Sequence, residues 1–172
     1  MEAQVSGRLD AFGRVQAAVT RNPDEGFDLK SLVTDELLAH GLKQGDGLAI
    51  SGPDLRLNTK TAESISLAVH ELATNAVKHN GLGANGGKVS VSWKLAGDGN
   101  PALSFEWKEQ SGNGELPKPK RKGFGFELLT RGLPYDLGGE TDLKFEPGGV
   151  HFRMEVPPST LNSGRKIEES SD

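Results

Sequence analysis

Apolar residues recur at steps of three and four in two segments near the start of the chain, which is the spacing of a single helical stripe. The first segment, residues 4–20, predicts an amphipathic helix that the sequence RNPDEG ends. Asp28 can cap a second helix, and Glu36 falls on the apolar stripe of that helix, directly before Leu37. We therefore predict two helices before the first strand.

A longer helix is predicted from about residue 61 to His79, and a glycine-flanked helix is predicted within residues 123–139. The long helix again has one apolar side, which would pack on a sheet. That side consists of Ile65, Ala68, Val69, Leu72, Ala73, Ala76 and Val77.

Alternating apolar and polar residues, bounded by Gly, Pro or Asn, predict strands. The two clearest runs, 88–95 and 102–109, are joined as a hairpin by AGDGNP, and Trp107 is in phase with the apolar residues of the second run. Because strands cluster in hairpins, we predict an α+β fold, an α/β sandwich with helices on one face of a mixed, mostly antiparallel sheet. Further strands are predicted at 48–50, 55–57, 140–147 and 149–157.

Composition excludes several classes of function. The net charge is -4, 26% of the residues are charged and there is no cysteine. No apolar run approaches the roughly 20 residues of a membrane span, and the first residues do not resemble a secretory signal. We expect a cytoplasmic protein without direct membrane contact or nucleic acid partners, although KPKRK at 118–122 is locally basic.

Polar residues share one side of the long helix, separated from its apolar stripe. Glu71, Asn75 and Lys78 follow one another at steps of four and three, and His79 lies four residues after Asn75. A carboxylate and an amide oxygen are suitable ligands for Mg²⁺ that also binds phosphates and water, and Lys78 could meet phosphate charge. The alternative is an ordinary solvated helix face.

Glycine-rich segments follow this helix and favour the first interpretation. NGLGANGGK comes directly after it, and KGFGF opens the next helix, where backbone amides can approach phosphates. Between them, residues 110–122 contain hardly any apolar side chain and predict a mobile loop. The order of these three features points to a nucleotide site.

The same residues carry a resemblance to a known family. LAVHELATNAVKHNGL is similar to the N box of histidine kinases of the HWE subfamily, and WKE (Trp107 to Glu109) resembles the W-x-E signature of that subfamily. Residues 123–157 resemble its glycine box and closing strands, so the resemblance covers roughly 28–157. Gyrase, Hsp90 and MutL-type ATPases belong to the same larger GHKL group.

The resemblance implies a Bergerat-type ATP-binding fold that grips ATP and Mg²⁺ between the N-box helix and a flexible lid. Glu71 and His70 would be catalytic, Glu71 by polarising water or the attacking imidazole. His70 lies about 100° from Glu71 around the helix, which leaves open whether its ring contacts nucleotide or hydrogen-bonds behind the site. Asn75 would coordinate the metal.

Further cofactor contacts are implied by the same resemblance. Lys78 and His79 would approach the phosphates, and Glu109 would stand near the adenine edge. The segment Gly123, Phe124 and Gly125 would let the lid close over the phosphates. The reaction implied is transfer of the γ-phosphoryl group of ATP to a histidine, followed in a bacterial two-component phosphorelay by a response regulator.

Two positions depart from the family pattern. Ser111 stands where a glycine would align in related kinases, and His40 matches no phosphoacceptor motif. We divide the chain into a remnant of a dimerisation and phosphotransfer helix (1–22), a catalytic ATP-binding domain (28–158) and a disordered tail (159–172). Either the chain is part of a longer, homodimeric sensor kinase, whose phosphoacceptor helix it would serve, or it is a stand-alone module.

Two other functions are alternatives. The chain could be a degenerate interaction module that keeps the fold without binding nucleotide, or a serine kinase of the anti-sigma type, which has the same fold. Stabilisation of the protein by nucleotide would argue against the interaction module. An acid-stable phosphorylated product would indicate the serine kinase.

Overall fold

A five-stranded sheet forms the centre of the molecule in the computed structural model. In spatial order its strands are β2 (Leu48–Ser51), β4 (Lys88–Ala96), β5 (Ala102–Gln110), β7 (Gly149–Val156) and β6 (Glu140–Glu146). The β2–β4 pair is parallel and the other pairs are antiparallel, which confirms the mixed, mostly antiparallel sheet. The structure describes residues 26–42, 45, 47–79, 87–97, 101–110, 124–147 and 149–157, together with Gly13.

One face of this sheet is apolar and carries the core. In β5, alternate side chains including Phe105 and Trp107 are fully buried, as the alternating sequence predicts. His151 lies in β7 on the opposite face, near the carboxylates of Glu106 and Glu146. The sequence therefore gives the two faces of the sheet correctly.

Helix α2 (Thr59–His79) packs on the apolar face and begins two residues before the position predicted for it. Its start is fixed by Asn58, whose side-chain oxygen accepts a hydrogen bond from the amide of Thr61 at 2.9 Å. The apolar stripe is buried as predicted except at Val77, which is 39% exposed because it lies near the end of the helix, where fewer neighbours cover it.

Helix α1 (Leu29–Ala39) lies against α2, and both termini of α1 are closed by local hydrogen bonds. Asp28 caps it as predicted, accepting a hydrogen bond from the amide of Ser31 at 3.0 Å. Strands β1 (Phe27–Asp28) and β3 (Arg56–Leu57) form a separate two-stranded sheet beside it. Leu29, Val33 and Leu37 of α1 are fully buried, so apolar contacts make up much of the interface between the helices.

The glycine-flanked helix consists of three consecutive helical parts. They are α3 (Phe124–Glu127), a π-helical segment (Leu128–Gly132) and α4 (Leu133–Leu137), after which Gly138 in the left-handed conformation ends the helix. No helix in the described part of the chain is long and apolar enough to cross a membrane. The predictions for 1–22, the 110–122 loop and the 159–172 tail lie outside the described residues, apart from Gly13 and Gln110.

Candidate nucleotide site

Glu71 and Asn75 lie one turn apart on α2, in the half of the helix that leads to His79. Glu71 is 5% exposed and Asn75 is half-buried. The helical spacing therefore places a buried carboxylate beside an amide that solvent or a ligand can still reach. This excludes the alternative of a fully solvated helix face for Glu71.

Gly125 in α3 approaches the carboxylate of Glu71 closely. A Cβ atom built on Gly125 would lie 2.5 Å from Oε2 of Glu71 and 3.3 Å from its Cδ. Only a residue without a side chain can therefore occupy this position without displacing the acid. The contact brings the two sequence segments expected to bind nucleotide against each other.

Glu109 is buried at the end of β5, in a hydrogen-bonded setting that the sequence did not reveal. Its Oε1 accepts a hydrogen bond from the indole Nε1 of Trp107 at 3.0 Å, and its Oε2 accepts a longer one from the amide of Val150 at 3.4 Å. A Cβ on Gly149 would lie 2.6 Å from Cβ of Glu109. The acid is therefore held in a fixed position on the helix-covered side of the sheet.

Replacing Trp107 by phenylalanine should lower the free energy of unfolding by about 1–3 kcal/mol, because the buried Glu109 carboxylate loses its indole donor. Trp93→Phe is the matched control. The indole of Trp93 donates at 2.8 Å to a neutral acceptor, the carbonyl of Pro53, in a partly buried position, so the loss there should be smaller. Urea unfolding of both variants measures the difference; equal losses would contradict a special role for the Trp107–Glu109 bond.

His70 points its ring away from the Glu71 side of α2 and towards α1. Its Nδ1 lies 3.0 Å from Oε1 of Glu36, and a carboxylate can only accept, so Nδ1 carries the proton. The ring also lies 4.8 Å from that of His40, centroid to centroid. Nδ1 of His40 donates to the carbonyl of Glu36 at 2.9 Å, and its Nε2 lies 3.1 Å from the hydroxyl of Thr74.

Glu36, His40 and His70 could in principle hold a metal ion, since one ligand atom from each lies within 4.8 Å of the other two. All three groups already form hydrogen bonds with one another or with Thr74 and the backbone. The arrangement is thus a satisfied network of buried polar groups. Sequence reasoning missed Glu36 as a functional candidate; its signal was an acid on the apolar stripe of α1.

The other expected site residues are described only in part. Lys78 and His79 form the last turn of α2, and Phe124 begins α3, but their side chains lie outside the described residues. Gly123 also lies outside them. Their roles remain predictions.

A cavity of about 660 Å³ opens at the edge of the sheet where β5 ends. Its lining includes Glu109, but also Lys88 and Lys108, which project from the sheet face opposite the helices. Glu71 and Asn75 do not line it. The cavity is therefore separate from the Glu71 side of α2.

Comparison with known proteins relates the chain to histidine kinases. It is 30% identical over 168 residues to a blue-light-activated histidine kinase of Brucella anthropi, a match covering 97% of this chain and 34% of the relative. A protein of the same name from Brucella melitensis is 29% identical over 153 residues, covering 88% of this chain and 31% of the relative. The chain thus spans about a third of these relatives. No protein-family model matches it.

Solved structures give the same fold. The histidine kinase domain of a blue-light-activated histidine kinase from Erythrobacter litoralis superimposes with a TM-score of 0.68 at 18% identity, covering 91% of this chain and 75% of that one. The catalytic domain of histidine kinase ThkA gives a TM-score of 0.51 at 15% identity, covering 77% and 94%. These findings confirm the predicted fold and the resemblance to histidine kinase catalytic domains.

Proposed function

We propose that this chain is the ATP-binding catalytic domain of a sensor histidine kinase, and that it transfers the γ-phosphoryl group of ATP to a histidine elsewhere in the parent protein. The observation that carries the proposal is the packing of Gly125 on the Glu71 carboxylate. It places a glycine segment next to the polar side of α2, as a site for phosphates and a cation requires. Similarity to histidine kinases supports the reaction class.

The residues present fit Mg²⁺ and ATP chemically. Mg²⁺ prefers hard oxygen ligands and keeps several waters, and Asn75 offers an amide oxygen at a half-buried position. The Glu71 carboxylate, one turn earlier, would act through water or on the attacking imidazole. When bound, Mg²⁺ would neutralise charge on the phosphates, so the chain mainly supplies position and electrostatics.

By the family resemblance Glu109 would stand near the adenine edge; its carboxylate is buried and hydrogen-bonded to Trp107 and Val150. A carboxylate that only accepts hydrogen bonds can select a base edge carrying an amino group. Lys78 and His79 would contact the phosphates, and Gly123, Phe124 and Gly125 would form the closing segment over them.

In the phosphorelay of a sensor kinase, this domain would act with three partners. Its partners would be a phosphoacceptor helix, a second copy of the kinase in a homodimer, and a cytoplasmic response regulator. The chain alone would then bind ATP without phosphorylating itself.

Nucleotide binding can be tested on the chain as it exists. ATP with Mg²⁺ should raise its melting temperature, since a ligand at 100 times its Kd stabilises by about 2.7 kcal/mol. No rise with ATP at millimolar concentration would reject the proposal in favour of an interaction module. Label transferred from ATP to a protein substrate should be lost in acid; acid-stable label would indicate a serine kinase.

A further inference from the structure

Four polar side chains form two hydrogen bonds between α1 and α2, His70 with Glu36 and Thr74 with His40, and we call this group the Glu36 clamp. They are Glu36 and His40 at the end of α1, and His70 and Thr74 in α2. The Glu36 side chain is 1% exposed, and His70 and Thr74 are 7% and 9% exposed. Burying polar groups this deeply costs free energy unless they are hydrogen-bonded. The clamp residues therefore make a specific contact between α1 and α2.

We infer that the Glu36 clamp is a positioning device, which fixes the rotation of α2 about its own axis so that Glu71 and Asn75 face the nucleotide. This inference rests on the proposed function of the site. It assigns Glu36 to the functional machinery, and it gives His70 a positioning role in place of the catalytic role expected from the sequence.

The positions of the clamp residues along α2 support this role. His70 directly precedes Glu71, and Thr74 directly precedes Asn75, so each contact with α1 lies next to one of the two site residues. Neighbouring residues project about 100° apart around a helix. The two contacts with α1 lie one turn apart on one side of α2. They therefore fix the direction in which Glu71 and Asn75 project from the adjacent side.

The chemistry of the contacts explains what the clamp adds to apolar packing. Leu29, Val33 and Leu37 of α1 are fully buried, but apolar burial is non-directional. Hydrogen bonds are directional, and a satisfied buried network specifies one arrangement. The bond from Nδ1 of His70 to Oε1 of Glu36 also places a donor on a buried carboxylate, so rotation of α2 would leave that acid poorly paired.

Nucleotide binding with and without Mg²⁺ separates positioning from stability. Glu36→Met keeps a side chain of similar length but removes the acceptor oxygens, and His70→Leu removes the ring donor. In both variants, the factor by which Mg²⁺ strengthens ATP binding should be roughly tenfold smaller than in the wild type. This factor depends on the direction of the Asn75 side chain. His70→Asn, whose amide can place a donor near the position of Nδ1, should restore most of this factor.

Leu37→Ala is the control for stability alone. It creates a cavity in the same helix beside Glu36, and should lower the melting temperature without changing the gain from Mg²⁺. The double variant Glu36→Met with His70→Leu should lose no more than the worse single variant, since both remove the same interaction. If Mg²⁺ raises ATP affinity as much in Glu36→Met and His70→Leu as in the wild type, or if Leu37→Ala reduces this effect equally, the inference is overturned.

A second measurement keeps this test independent of the proposed function. In the nucleotide-free protein, the side-chain amide signals of Asn75 in a ¹⁵N NMR spectrum should shift in His70→Leu and return in His70→Asn, but stay in place in Leu37→Ala. If the wild-type chain binds no ATP, the proposed function fails, and this spectrum alone decides the positioning role. Unmoved Asn75 signals in His70→Leu would then reject it.

Discussion

Replacing Asn75 by alanine should weaken ATP binding in the presence of Mg²⁺ by about 10–100-fold, the usual effect of disturbing a metal-binding group. Asn75 supplies the half-buried amide one turn from the buried Glu71 carboxylate. Alanine keeps the helix, since it has the highest helix propensity, but removes the oxygen. Calorimetric titration with ATP should show the loss only when Mg²⁺ is present.

Asn58→Ala provides a matched control in the same helix. Asn58 accepts the hydrogen bond of the Thr61 amide at the first turn of α2, so its removal should cost about 0.5–2 kcal/mol of stability. ATP affinity should stay unchanged, because Asn58 lies at the opposite end of α2 from Asn75. Equal affinities in Asn75→Ala and the wild type would remove Asn75 from the metal site.

The sequence predicted most of the fold because the apolar periods are local and strong. Residues 88–95 and 102–109 alternate over their whole length, and the observed strands extend them by only one residue at an end. The predicted start of α2 is two residues late because the apolar period does not reveal that Asn58 caps the helix. The period also predicts Val77 in the core, although the end of a helix has fewer neighbours.

The site was predictable only where its residues share one helix. Glu71 and Asn75 follow from helical spacing, whereas the contact between Gly125 and Glu71 joins segments far apart in the chain. The same applies to the bond between His70 and Glu36, since α1 and α2 meet only after folding. An acid on an apolar stripe indicated that Glu36 needed a buried partner, but not which one.

The buried acids of this domain explain why particular ring side chains stand beside them. Glu36 accepts a hydrogen bond from His70, and Glu109 accepts one from Trp107. In each case a ring nitrogen donates to a carboxylate that burial would otherwise destabilise. His70 and Trp107, which support the family resemblance, thus each hold an acid in place. This role differs from that of the residues that would contact nucleotide.

Gly125→Ala should affect both the site and the stability of the domain. The added methyl group would lie 2.5 Å from Oε2 of Glu71, and the acid is buried, so it cannot simply swing into water. We expect about 1–3 kcal/mol of lost stability, as for other overpacked positions. Displacing the carboxylate by about 1 Å should also reduce ATP affinity or turnover by up to about 100-fold.

Gly132→Ala is the matched control, because both glycines lie in the same helical stretch. A Cβ on Gly132 would lie 3.5 Å from Cδ1 of Leu128 and 3.9 Å from the carbonyl oxygen of Glu127, both ordinary contacts, so this variant should be neutral or stabilising. In a Glu71→Ala background the stability penalty of Gly125→Ala should fall to within about 0.5 kcal/mol, because the clashing carboxylate is gone. An unchanged penalty in that background would show that Gly125 is constrained by something other than Glu71, and would remove the contact on which the proposed site depends.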